Sequence, residues 1–185
     1  MCTFKKICVT NRHLTDRLLY EQLKIVFAIS KPDVVILREK DLSEDEYREL
    51  AYKVKLLCDL YSVRLIVSKY YKIARELGTV VQLSIADYES NIESLDGLKA
   101  WVSVHSLQEA LRVSCAGTNA IIAGHIYETD CKKGLPGRGI DFLTSIIEQV
   151  DIPVYAIGGI DELNIEEVAS AGVSGACQMS YYMKL

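Results

Sequence analysis

Eight short apolar runs recur along this chain, and between them apolar side chains return at every third or fourth position. A short apolar run reads as a buried strand, and three-to-four spacing reads as one face of a helix. The strands fall at Ile7 to Thr10, Val34 to Leu37, Arg64 to Ser68, Val80 to Ser84, Ala100 to Val104, Ala120 to Gly124, Pro153 to Ile157 and Ala176 to Met179. Helical spacing runs from Leu18 to Phe27, and Pro32 stops it. Ser43 with Glu46 forms a capping box for a helix through Leu57. A short helix to Gly78, a loop with one turn through Gly97, and helices at Leu107 to Ala116, Ile140 to Val150 and Ile165 to Ala171 complete the series. In the helix at Ile140, Phe142, Ile146 and Ile147 share a face.

Strands that alternate with helices over a whole chain pair in parallel, because each helix is the crossover back across the sheet. Eight units predict an α/β fold of the closed (β/α)8 TIM-barrel type, one domain over residues 1–185. The competing open doubly wound sheet usually carries G-x-G-x-x-G in its first turn, and that pattern is absent here. At 185 residues the chain is short for a barrel, whose usual length is about 250. After Ser180 only Tyr181 to Leu185 remain, so the last helix must be truncated or missing. Apolar surface around the eighth and first strands then needs a cover, from a second subunit or from neighbouring helices, and a homodimer is expected.

Composition narrows the partners. Apolar types make up 50% and charged types 25% of the residues, which suits a packed core and excludes a disordered chain. A net charge of −4 without a Lys/Arg block gives no footprint for nucleic acid. No apolar run is long enough for a membrane span or a signal peptide, so a cytoplasmic protein is expected. Six cysteines without a C-x-x-C pair, and three histidines without ligand spacing, suggest neither a disulfide framework nor a metal site.

In a barrel the chemistry gathers where strands end and loops begin. The loop Gly124 to Gly139 holds four glycines with Lys132, Lys133 and Arg138, a composition suited to an anionic ligand or to a solvated flexible loop. Gly158 and Gly159 after the seventh strand, with Ser180 after the eighth, fit a phosphate cup. A tight turn needing positive φ would use the same glycines. His125 sits beside this loop, and an imidazole, with an unperturbed pKa of about 6.5, exchanges protons readily near neutrality. His105 and His13 read equally well as hydrogen-bonded structural histidines. Arg38 and Lys40, in the run Arg38-Glu39-Lys40-Asp41, can face a carboxylate or phosphate.

The run Arg38 to Asp41, Val104-His105-Ser106, the Gly124 to Gly139 loop, Ala156 to Ile160 and Met179-Ser180 together resemble the thiamin-phosphate synthase and TenI superfamily of barrels. The likeness spans nearly the whole chain and is most specific from Val102 onward. Gly124 to Gly134 matches every position of the TenI pattern G-H-[IV]-[FY]-E-T-D-C-K-K-G. That resemblance implies a thiazole tautomerase, which aromatises a carboxythiazole phosphate tautomer without metal or organic cofactor. His125 would stand at the proton-shuttling position. Gly158, Gly159 and Ser180 would hold the phosphate, with Arg38, Lys40, Ser103, His105, Thr129 and Lys132 as further substrate contacts.

In the synthase branch a proline follows the glycine, and an Asn-Asp pair at the third strand end helps to bind Mg²⁺. This chain has Gly124-His125 and Ser68-Lys69 instead. Thr129 and Lys132 match synthase diphosphate contacts, Cys131 replaces a threonine, and Asp87 stands near the second metal-ligand position. Thiamin-phosphate synthase, with Mg²⁺, is therefore the alternative activity. A non-catalytic phosphate-binding regulator is the alternative from another class.

Overall fold

A computed structural model describes residues 4–129, 132 and 134–185. Eight parallel strands close into one barrel in chain order, β1 (Lys5–Val9), β2 (Val34–Leu37), β3 (Arg64–Ser68), β4 (Val80–Ser84), β5 (Ala100–Val104), β6 (Ala120–Gly124), β7 (Val154–Ile157) and β8 (Gly175–Gln178). The seam joins β1 to β8, with Lys5 opposite Gly175 and Cys8 opposite Gln178. Strand positions agree with the sequence pattern except that β1 begins two residues and β8 one residue earlier, each also ending one residue earlier, and β7 begins one residue later, at Val154.

Alternation along each strand divides the apolar side chains into two cores. One set, including Ile7, Val9, Val34, Ile36, Ile66, Ile122 and Cys177, fills the barrel interior. The other points outward and packs under the helices, with Val35, Leu37, Leu65, Val67, Val102 and Val104 among its members. Low in the interior Trp101 and Tyr155 stack with ring centroids 4.3 Å apart. The two rings fill the interior toward the N-terminal ends of β5 and β7.

The helices are α1 (Leu19–Ile29), α2 (Glu44–Tyr61), α3 (Tyr71–Glu76), α4 (Ile85–Asn91), α5 (Leu107–Cys115), α6 (Gly139–Ile147), α7 (Ile165–Ser170) and α8 (Ser180–Met183). The Ser43/Glu46 capping box is present, and Ser62 in the left-handed region ends α2. Two expectations change. The segment read as a loop with one turn is α4 followed by a 3-10 turn at Ile92–Leu95. On α6 the fully buried positions are Leu143 and Ile146, while Phe142 and Ile147 are only partly buried.

The last helix spans four residues, Ser180–Met183, yet they cover the flank. Tyr182 and Met183 are 1% and 0% exposed. Gln22 of α1, itself buried, donates to the carbonyls of Tyr182 and Leu185 and ties the two helices together. Neighbouring helices thus supply the cover, and the large exposed apolar side chains include Leu18 and Ile29 at the two ends of α1, Leu56 and Leu60 of α2, and Leu163 before α7. Among the described residues no helix is long and apolar enough to cross a membrane. Cys8, Cys58 and Cys177 are buried thiols and Cys115 is an exposed one; Cys2 and Cys131 lie outside the described residues.

Candidate active site

A cavity of about 1470 Å³ opens at the C-terminal ends of the strands. Arg38, Lys40, Ser103, His105, His125, Thr129, Lys132, Gly158, Gly159 and Ser180 all line it. Residues far apart in sequence meet there because they follow the ends of their strands, apart from Ser103, which stands one place before the end of β5.

The β2 end alternates direction. Arg38 and Lys40 face the cavity, whereas Glu39 is buried and accepts hydrogen bonds from the Thr10 hydroxyl (2.7 Å) and the Arg12 amide. The Arg12 guanidinium grips Asp41 at 2.7 and 2.6 Å, and His13 reaches Asp41 at 2.9 Å. These bonds hold Asp41 well below the usual carboxylate range, at about 2. The clamp joins the loops after β1 and β2 and anchors the segment that carries Arg38 and Lys40. His13 is therefore a structural histidine on the outside of the rim.

The two inner histidines are oriented by backbone carbonyls, which can only accept. His125, 8% exposed, lies 3.1 Å through Nε2 from the Pro136 carbonyl, so Nε2 carries a hydrogen, and the tautomer selected for the neutral ring has its lone pair on Nδ1. His105 lies 2.7 Å through Nδ1 from the Gly124 carbonyl, which fixes the opposite tautomer. The turn that presents His105 is itself tied down. Ser106 caps α5 through the Glu109 amide, and the Glu109 carboxylate accepts from the His105 amide at 2.6 Å.

Gly158 and Gly159 have φ of 108° and 66°. A Cβ on Gly158 would come within 2.5 Å of the His125 Cβ, and one on Gly159 within 2.5 Å of the Glu128 carbonyl. Both glycines let the β7 turn close against the loop after β6, where the Ile126 and Tyr127 amides donate to the Ile157 and Gly158 carbonyls. Positive φ and close approach therefore account for the glycines on their own, and the resulting turn faces the cavity. Tyr127 donates to Glu167 at 2.7 Å; burial and this carboxylate push its phenol up to about 12.

One loop expectation is corrected. Arg138 does not line the cavity, because its guanidinium lies over the Phe142 ring at 5.4 Å. Lys133 and Cys131 lie outside the described residues.

Among the lining residues that escaped a search of strand ends are two glutamines inside the barrel strands. Gln82 lies two positions before the end of β4 and Gln178 is the last residue of β8; both reach the cavity. The signal for Gln82 was its place in the alternation Val80, Gln82, Ser84. Lys69 also lines the cavity, with φ of 71° and its ammonium 5.1 Å from the Tyr70 ring centroid.

Comparison with known proteins agrees with this geometry. The family model described as thiamine monophosphate synthase matches residues 7–181. A thiamine-phosphate synthase of Pyrococcus abyssi is 33% identical over 175 residues, covering 92% of this chain and 84% of that protein. One from Clostridium botulinum strain Hall is 34% identical over 152 residues, covering 80% and 74%. The solved thiamine phosphate pyrophosphorylase of Pyrococcus furiosus superposes with a TM-score of 0.83 at 27% identity, covering 98% of this chain and 88% of that one. A family model that spans nearly the whole barrel, with the cavity at the C-terminal ends of its strands, makes this chain a member of the thiamine monophosphate synthase/TenI family.

Proposed function

We propose that the chain is a thiazole tautomerase of thiamin biosynthesis that aromatises a carboxythiazole phosphate tautomer. The observation that carries this reading is His125, a nearly buried imidazole in the cavity wall whose Nδ1 is left as a base. Gly158, Gly159 and Ser180 would hold the phosphate, and Arg38 with Lys40 would face the carboxylate. Nδ1 removes a proton from one end of the allylic system, and the electron pair moves into the ring. The imidazolium then returns the proton at the other end, so no atom or electron is gained or lost. Substrate held at both ends keeps the reacting carbon beside a single acid/base group.

Synthase activity is the second reading, favoured by the names of the relatives and by Thr129, Lys132 and Ser180 in the cavity wall. That reaction needs Mg²⁺ with a diphosphate. At the ends of β3 and β4 the cavity is lined by Lys69, whose ammonium lies 5.1 Å from the Tyr70 ring centroid, and by Asp87, whose carboxylate is engaged by the Ser84 hydroxyl at 2.6 Å. A cation in that position repels the metal, and these residues do not fit a Mg²⁺–diphosphate site.

Two incubations test the proposal. One contains the thiazole phosphate tautomer alone; the other contains the pyrimidine diphosphate, carboxythiazole phosphate and Mg²⁺. Aromatisation in the first without thiamin phosphate in the second supports the tautomerase, and thiamin phosphate in the second supports the synthase. Homodimer formation remains part of the proposal, and a monomer in sedimentation velocity at assay concentration opposes it.

A further inference from the structure

The wall of the cavity between β3 and β5 carries a polar rail whose hydrogen-bond directions can be read without seeing a hydrogen. Gln82 Nε2 lies 3.0 Å from the Leu83 carbonyl, which can only accept, so the amide nitrogen must face that side. The amide oxygen then faces Ser68, whose hydroxyl must donate to it at 2.7 Å. The same Nε2 donates to Ser103 Oγ at 2.9 Å. Ser68 itself is anchored, because its amide donates to the Tyr47 hydroxyl, which in turn donates to the Leu37 carbonyl. Ser103 accepts from Gln82, so its own hydroxyl hydrogen is directed away from Gln82, and Ser103 lines the cavity.

We infer that Gln82 is a positioning residue that makes Ser103 a hydrogen-bond donor toward the ligand, selecting a ring nitrogen or carboxylate oxygen as the group bound there. The inference rests on the tautomerase reading for the identity of the ring, since carboxythiazole phosphate offers both acceptors. It does not rest on that reading for the direction of the rail, which follows from the Leu83 carbonyl. Glutamate at position 82 would keep the shape but have no hydrogen to give. Ser103 would then donate to the new carboxylate and turn its lone pairs to the ligand. Methionine would keep the length and remove the direction without adding charge.

Binding of carboxythiazole phosphate, the proposed product, is measured by calorimetry for wild type, Gln82→Glu, Gln82→Met, Ser103→Ala and the double variant Gln82→Met/Ser103→Ala. Thermal unfolding of each variant reports that it is folded. Gln82→Glu and Ser103→Ala should each weaken binding by about ten- to a hundredfold, the weight of a lost hydrogen bond to a charged or buried partner. Gln82→Met should weaken it less, and should cost nothing further once Ser103 is alanine. Raised KM with little change in kcat should accompany the weaker binding. Wild-type affinity in Gln82→Glu, or a Gln82→Met penalty that persists beside Ser103→Ala, overturns the rail and leaves the tautomerase reading standing. Binding without turnover of the tautomer sinks the tautomerase reading and leaves the rail. No binding by wild type removes both.

Discussion

Among single residues the direction of a hydrogen bond decides more than proximity does. His125 and His105 both line the cavity, yet the carbonyls of Pro136 and Gly124 hold them as opposite tautomers. Replacing His125 by alanine should lower aromatisation turnover about 10²- to 10⁴-fold while product affinity stays close to wild type. Steady-state kinetics with a parallel titration check this, and unchanged turnover would remove His125 from the mechanism. Gly159→Ala should lose stability and product affinity together. Its φ of 66° disfavours a side chain, and the new Cβ meets the Glu128 carbonyl and the Tyr127 Cβ. Calorimetric unfolding beside the same titration would show it. Nine of the ten candidate residues were legible in the sequence because each stands at a strand end or in a motif, and Ser103, inside β5, came only from the family resemblance. Gln82 was passed over because it lies inside β4 and not at its end, although its place in the alternation Val80, Gln82, Ser84 carried the signal; its partners Ser68 and Ser103 became visible only with the register.

At the scale of elements, legibility followed the strength of local signals. The α2 box was readable because Ser43 and Glu46 stand three apart before an apolar-periodic run, and both reciprocal bonds form. Helix α4 was not, because it begins directly where β4 ends. Ser84 is at once the last strand residue and the cap that accepts from the Asp87 amide, so no turn residue separates the two elements. Only Tyr88 of α4 is buried, which leaves the apolar period faint. Helix α8 carries the opposite lesson, for four residues do the work of a full helix by burying Tyr182 and Met183. Truncating Tyr182 to alanine should cost about 3–5 kcal/mol, the range for a large buried aromatic. Chemical denaturation measures this, and a loss under about 1 kcal/mol would mean that the flank is covered some other way.

For the whole molecule, the tightest exposed charges are carboxylates held in their ionised form. Hydrogen bonds from Arg12 and His13 lower Asp41 to about 2, and those from the Ser43 hydroxyl and amide lower Glu46. Burial raises Asp33, but the Lys6 amide and the Lys5 ammonium lower it by more. Groups whose folded pKa is depressed contribute stability that is complete above their unfolded values and is lost as pH falls through the folded ones. The unfolding temperature should therefore hold steady above about pH 5 and fall between about pH 4 and 2. Arg12→Ala should flatten the lower part of that fall, and differential scanning calorimetry across pH gives the answer. A steep loss beginning near pH 6 would assign acid sensitivity to the histidines instead.

The seam of the barrel bears on how the protein comes into being. Residues 5–8 hydrogen-bond to residues 175–178, so a ribosome has delivered seven strands before the partner of the first exists. During that interval the edges of β1 and β7 stand open, each a template for pairing with another nascent chain. Closure must wait until β8 has been made, because the β1–β8 pairing is distant in sequence while the other seven pairings join consecutive strands. The single tryptophan, stacked on Tyr155 inside the finished barrel, is well placed to signal that moment by its fluorescence.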